Sequence, residues 1–531
     1  MLKLYANIFL SLLLHTSLFA QDDDPTQTPL SGFVDMHAHP RDDLAFGTQL
    51  FYGAPYGNPE EALGNCKAGH SKNLFRSVLA AQTEQQNNPT WKDGKAGYPD
   101  FATWPAWCTT LHQQMWIDWI ERAHQGGLSI MVALAVSSHT IASAAKSKGP
   151  YDDAQVLINC IQGIKDLVAY STFMEIALTP EDVRRIVSNG KLAVVLGTEM
   201  DNIGNFYSPA DQYKAKFNPS PTNEQIKEEL DKLWELGVRY IFPVHLNNTI
   251  FGGSALANST LNVANKFVTG KEFIPEQIST KESGIGFRLQ HPAIGLNGAA
   301  KMFMPLLLPK NINPARKDNY SYWDTIPGFG HRNSLGITDK GRFGLNYMMQ
   351  KGFLIDIDHM SEKMANEVLQ MAVTNDYPVN SGHNGLRGES DTENVRTIQQ
   401  YQLLKQIGGM VGLGHCDSAN GFVKSFREVG QIMGFMNMAI GTDVGGFKAL
   451  PKPDFSVHVE YDSTLSPCKT GNRTWDINID GVAHYGLLPD YIRSWDEAGM
   501  TPKEKSAFMS SAEYFTRMWE KCELRKAQIP H

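Results

Sequence analysis

The chain has 531 residues, 42% of them hydrophobic, and 48 lysines and arginines against 56 aspartates and glutamates leave a formal charge of −8. Spread without long runs of one sign, that charge implies neither nucleic acid nor an anionic membrane as partner. The length permits one large core or two smaller ones. Six cysteines (Cys66, Cys108, Cys160, Cys416, Cys468 and Cys522) show no C-x-x-C spacing, which argues against structural zinc.

Residues 1–20 carry one lysine, then the apolar run Ile8 to Leu14, then mostly apolar residues up to Ala20. This is too short to span a bilayer and is followed by an acidic, proline-containing segment, Gln21 to Pro29, so it reads as a cleaved secretory signal. No cysteine follows the apolar run, which argues against a lipid anchor, and no later stretch holds about twenty uninterrupted apolar residues. The expected mature protein starts near Gln21, is secreted or periplasmic, and is a single domain over 21–531. Export permits disulfides, and Cys66 with Cys108, in one loop-rich stretch, is the expected pair.

Taken in order, the apolar runs recur regularly. The first stretch, Gly32 to Pro40, begins as a short apolar run and ends in two histidines, His37 and His39. Then come Leu128 to Val136, Leu192 to Leu196, Arg239 to Val244, Phe353 to Ile357, Pro378 to Ser381, Gly409 to Leu413 and Met438 to Gly441. Continuous apolar runs suit strands buried on both faces, as in a parallel sheet with crossover helices. Helical signals fill the gaps. Thr179, Pro180, Glu181 and Asp182 give a cap, a first-turn proline and first-turn acids, with Gly190 as a stop. Thr222 to Leu236 carries Ile226, Leu230, Leu233 and Trp234 on one face and stops at Gly237, and Ser361 can cap a helix running to about Thr374. Eight such units in series predict an α/β fold, a (β/α)8 TIM-type barrel, whose chemistry belongs at the C-terminal strand ends.

Those ends carry ligand-type residues. Strand one ends in His37 and His39, strand three in Glu199, strand four in His245, strand five in His359, strand six in His383, strand seven in His415 and strand eight in Asp443. In an extended strand, positions i and i+2 share a face, so His37 and His39 can address one point. Imidazoles and carboxylates without thiolates suit zinc or another divalent ion, and one carboxylate shared between two imidazole pairs suits two ions. Glu199 also reads as a partner for a barrel arginine, and His415 as a pocket-lining residue or a ligand. Asp356 and Asp358 are expected to orient neighbouring groups, and the aromatic stretch Trp104 to Trp119 reads as packing.

From Gly336 to Gly341, through Met348 to Ser361 and on to Pro378 to His383, the chain resembles the membrane (renal-type) dipeptidase family, a branch of the metal-dependent amidohydrolases. Gly197 to Glu199, Arg239 and Tyr240, Val244 and His245, Ile440 to Gly445 and the capping box at Thr501 to Glu504 resemble that family's blocks in the same order. The resemblance implies a binuclear zinc hydrolase. Carried over by position, His37 and His39 serve one metal, His359 and His383 the other, and Glu199 bridges them. Asp443 contacts metal and moves protons, and His245 holds substrate and the developing oxyanion. The chain departs from the family at His39, where aspartate is usual. It departs again at the arginine that takes the substrate carboxylate: Arg387 falls too early and Arg396 slightly late, so these two and His415 stand as the substrate-contact candidates. Long insertions are expected near 40–125, 247–340 and 446–490, above the site.

The expected activity is cleavage of a small-molecule amide or peptide bond by metal-activated water, with two divalent ions per chain, zinc or another. The same attack serves a lactone or another ester, and a catalytically silent barrel used for binding is the reading from a different class.

Overall fold

Strand β1 (Phe33–Ala38) is buried along its whole length. Phe33 stacks on Phe508 of the helix Pro502–Met509, ring centroids 5.4 Å apart, so the end of the chain covers its beginning. Removing such a ring costs about 3–5 kcal/mol. This computed structural model describes residues 28–530 apart from 49, 67–75, 77–78, 80–95, 146–149, 151, 207–219, 296–307, 309 and 315, and the expected signal over 1–20 lies outside the described residues. From Ser31 onward the chain forms one unit.

Seven further strands follow β1: β2 (Leu128–Ser137), β3 (Leu192–Met200), β4 (Tyr240–Ile241), β5 (Leu354–Ile355), β6 (Ser381–Asn384), β7 (Val411–Gly414) and β8 (Met438–Gly441). They pair in parallel in the order β5-β4-β3-β2-β1-β8-β7-β6. The two ends of that path meet at a parallel bridge, Asp356 with Asn380, where the Ile357 N–H donates to the Asn380 carbonyl and the Asn380 N–H to the Ile355 carbonyl, both 2.8 Å. The sheet is therefore curled, consistent with a TIM-type barrel. All ten residues of β2 and all nine of β3 are buried, as continuous apolar runs require of strands covered on both faces.

The helix signals resolve as expected. Thr179 caps Pro180–Ser188 by accepting from the Asp182 N–H. Thr222 and Gln225 form a reciprocal capping box on Asn223–Glu235, and Ser361 caps Glu362–Thr374. Gly190 and Gly237 follow their helices with φ of 71° and 93°.

Strands β4, β5 and β6 depart furthest from the apolar runs. Expected over Arg239 to Val244, β4 keeps two residues, because Pro243 has no N–H to continue the ladder and the chain turns away into His245. Expected over Phe353 to Ile357, β5 also keeps two. Expected over Pro378 to Ser381, β6 begins only at Ser381, and its register slips so that Val411 and Leu413 face Ser381 and Asn384. An unexpected three-residue strand, Met174–Ile176, pairs with the start of β3. No disulfide joins the described cysteines, so the expected Cys66–Cys108 pairing is not made.

Long segments leave the C-terminal ends of β1, β4 and β8. The one after β4 holds the helix Leu261–Thr269 and the antiparallel pair Pro275–Ser279 with Phe329–Asn333. The one after β8 holds the hairpin Cys468–Thr470 with Arg473–Trp475. Trp119 stacks on His484 at 4.1 Å and meets Trp475 edge-on, so the aromatic stretch is packing, as read.

Candidate metal centre

The strand ends converge on Glu199, whose carboxylate is almost fully buried. Its Oε2 lies 3.2 Å from His37 Nε2 and 3.3 Å from His39 Nε2, and those two nitrogens are 3.1 Å apart. Asp443 Oδ1 completes this group at 3.5 and 3.4 Å from the same nitrogens. The other oxygen, Oε1, lies 3.0 Å from His359 Nε2, which is 3.0 Å from His383 Nε2. His245 Nε2 stands 3.8 Å from Oε1. Thus the residues expected to bind metal, together with His245, form overlapping groups that could hold ions.

Backbone and neighbours hold these side chains in place. His359 and Asp443 have left-handed φ of 63° and 53°, a conformation costing a side-chain-bearing residue about 1–3 kcal/mol. The His359 N–H donates to Asn394 Oδ1 at 3.0 Å, and the Asp443 N–H to the His37 carbonyl at 2.8 Å. A Cβ on Gly446 would lie 1.8 Å from Asp443 Oδ1, so only glycine leaves that carboxylate its place. Beneath, buried Asp35 accepts from the His37 N–H, the Thr442 N–H and hydroxyl, and the Tyr485 hydroxyl, tying β1 to β8. Asp358 accepts from the His383 N–H at 2.9 Å, faces His383 Nδ1 at 3.2 Å, and accepts from Ser381 and Asn384. Asp356 takes the Tyr240 hydroxyl. Both aspartates orient neighbours, as expected.

The electrostatics divide the imidazoles. Burial drives His37 down to about 4. Burial works the same way on His39, but hydrogen bonds to Asp443 and Glu199 outweigh it and lift the ring to about 10. Burial also dominates at His359, leaving it below its ordinary value, whereas at His383 Asp358 overcomes burial and raises it to about 9. Each short N···N contact therefore pairs a ring shifted down with one shifted up, an arrangement that a cation would relieve by replacing the proton. Burial opposes charge on the carboxylates too, yet His37, His245 and His359 hold Glu199 well below the usual range, and His39, His37 and His383 hold Asp443 at about 2.

The substrate-contact candidates are placed differently. Arg387 is enclosed, donating to Glu362 Oε2 at 2.9 Å and to the carbonyls of Ser283, Val395 and Glu393. Arg396 is fully buried, donates to the Asn394 carbonyl, and lies 3.9 Å from Asp358, behind His383. Both serve the protein itself, because the loop after β6 folds back on the guanidinium groups. His415 is buried with Nδ1 2.7 Å from the Cys416 carbonyl, and Tyr491 donates to its own carbonyl. Sequence reasoning missed Asp201, whose Oδ1 sits 2.9 Å from His245 Nδ1, and Asn394. Asp201 lies two residues after Glu199, the one spacing that pointed to it.

Comparisons with protein-family models and with curated proteins find no match. Among solved structures, the chain is similar to an amidohydrolase from Pseudomonas aeruginosa, at 14% identity over 76% of this chain and 92% of that one, with a TM-score of 0.43. It is also similar to dipeptidase AC, a metallopeptidase of family M19, at 12% identity over 76% and 88% with a TM-score of 0.45. A third is a metallopeptidase from Rhodobacter sphaeroides liganded with a phosphinate mimic of the dipeptide L-Ala-D-Ala, at 13% identity over 76% and 89% with a TM-score of 0.45.

Proposed function

We propose that this protein is a hydrolase of amide or peptide bonds that works with two divalent metal ions, zinc or a close relative, in a (β/α)8 barrel whose long loops roof the site. The observation that carries the reading is the split carboxylate of Glu199, one oxygen 3.2–3.3 Å from the His37 and His39 pair and the other 3.0 Å from His359. Ligand atoms on a tetrahedral zinc at about 2.0–2.1 Å stand roughly 3.3 Å from one another. The spacings of His37 and His39 from each other, from Glu199 and from Asp443, 3.1–3.5 Å, fit that figure, and the nitrogen and oxygen donors suit the metal. His37, His39, Glu199 and Asp443 would hold one ion, and Glu199, His359 and His383 the other.

Bound ions supply a polarised carbonyl and a water whose pKa is brought towards 7. Asp443, ionised at working pH, takes the proton of the attacking water as its oxygen joins the carbonyl carbon, and hands that proton to the amine as the C–N bond breaks. His245, turned by Asp201 so that Nε2 faces Glu199, donates to the developing oxyanion, which requires it protonated. Burial disfavours that charge, but Glu199 and Asp201 raise the ring above its ordinary value. Phe242 meets His37 edge-on at 5.2 Å and fixes its plane.

The test is metal analysis of protein purified without chelator, followed by a screen of dipeptides, N-acylated amino acids and lactones. About two ions per chain and turnover of an amide are expected. A single ion rejects the binuclear reading, and turnover of lactones alone rejects the amide reading.

A further inference from the structure

Gly412 and Gly414 lie two apart in β7 and so share a face. A Cβ on Gly412 would meet the Gly382 carbonyl and the Met36 side chain, whereas one on Gly414 would meet the Lys448 ammonium at 3.5 Å and the His383 carbonyl oxygen at 3.6 Å. Lys448, five residues beyond Asp443, thus hangs its Nζ over the C-terminal end of β7 beside the backbone of a candidate ligand. The residue is exposed, and among the described residues it has no ion-pair or hydrogen-bond partner. Arg387, by contrast, is spent on Glu362 and on the Ser283, Glu393 and Val395 carbonyls, and Arg396 lies fully buried with Nε on the Asn394 carbonyl.

His415 stands on the same side. It is 1% exposed, its Nδ1 faces the Cys416 carbonyl and so carries the hydrogen, and its buried Nε2, left as an acceptor, has no partner. Burial first, then the charge of Lys448, hold this ring neutral, while Asp443 pulls the other way, so both charges act on His415. An uncommitted ammonium, an unsatisfied acceptor and the proton carrier therefore gather between β7 and β8.

We propose that Lys448 is the anion anchor of the substrate, taking a carboxylate on the leaving-amine side of the scissile amide, the side to which Asp443 delivers its proton. The assignment rests on the hydrolase reading for its reaction but on Lys448 alone for its charge preference.

The experiment compares dipeptides and N-acetylated amino acids with their C-terminal amides on metal-loaded wild type, Lys448→Met and Lys448→Arg. A charge-assisted contact at an exposed lysine predicts an acid-over-amide preference that falls about tenfold in Lys448→Met, through KM, and is largely kept in Lys448→Arg. Should wild type cleave none of these probes, the hydrolase reading fails, and calorimetric titration of the same acids and amides judges Lys448 separately. A binding preference that falls in Lys448→Met upholds the anchor. An acid-over-amide ratio untouched by the substitution, in turnover or in binding, overturns it.

Discussion

Replacing Asp443 with asparagine separates the two tasks proposed for it. Asparagine retains Oδ1, which stands 3.5 and 3.4 Å from His37 and His39, and the backbone N–H that donates to the His37 carbonyl. Three other ligand atoms of that group remain, His37 Nε2, His39 Nε2 and Glu199 Oε2, all within 3.1–3.3 Å of one another, so folding and most of the metal should survive. What disappears is the base. General acid-base catalysis contributes roughly 10²- to 10⁴-fold, or about 3–5 kcal/mol of barrier. Losing the carboxylate also removes the strongest support for the charge on His39, so that ring should titrate lower. The assay is initial-rate kinetics on the substrate found by the screen, with metal content measured on the same preparation. We expect kcat to fall at least about a hundredfold with KM little changed. A metal-loaded Asp443→Asn enzyme working within a few-fold of wild type would refute the proton-transfer role and move it to His245 or His415.

Replacing His359 or His383 with alanine should deplete one ion and His37→Ala the other, read by metal analysis, and loss of both ions from each variant would contradict two separately held positions. Arg387→Ala should cost about 1–3 kcal/mol of stability, because the Glu362 Oε2 and the Ser283, Glu393 and Val395 carbonyls lose their donor while Arg332 still pairs Glu362 at 2.7 Å, with KM unchanged. A raised KM at unchanged denaturant midpoint would return Arg387 to the substrate. The hydrogen bond and charge of Arg427, with the Thr501 cap, hold Glu504 at about 2 against an ordinary 4.5. A depressed carboxyl stabilises above its unfolded value and loses that stability as pH falls from 4.5 towards 2. Glu504→Gln should therefore melt below wild type at pH 7 and converge with it near pH 2, and a gap that stays constant across that range would refute the linkage.

How much of this the sequence carried depends on whether a residue's place follows from strand period or from the return of a distant loop. His37 and His39 were legible because i and i+2 share a strand face, and Glu199, His245, His359, His383 and Asp443 because each closes an apolar run at the end where a barrel keeps its chemistry. The short strands were not. An apolar run shows burial, but ladder pairing stops where Pro243 lacks an N–H and where β6 slips its register, and neither is a matter of hydrophobicity. Arg387 and Arg396 show the limit from the other side. Counted along the chain they lie near where a substrate arginine belongs, and only the fold-back that brings Glu362, Val395 and Asn394 against them shows Arg387 already occupied and Arg396 fully buried. Lys448 is the converse: nothing in its spacing singles it out, and only the fold brings its ammonium over Gly414, beside the backbone of His383. Candidate ligands fixed by regular strands are thus readable from a pattern, whereas candidates for substrate contact sit on irregular loops whose positions depend on contacts from elsewhere in the chain. The proposed hydrolytic chemistry could be read before the structure for this reason, and the proposed charge preference only after it.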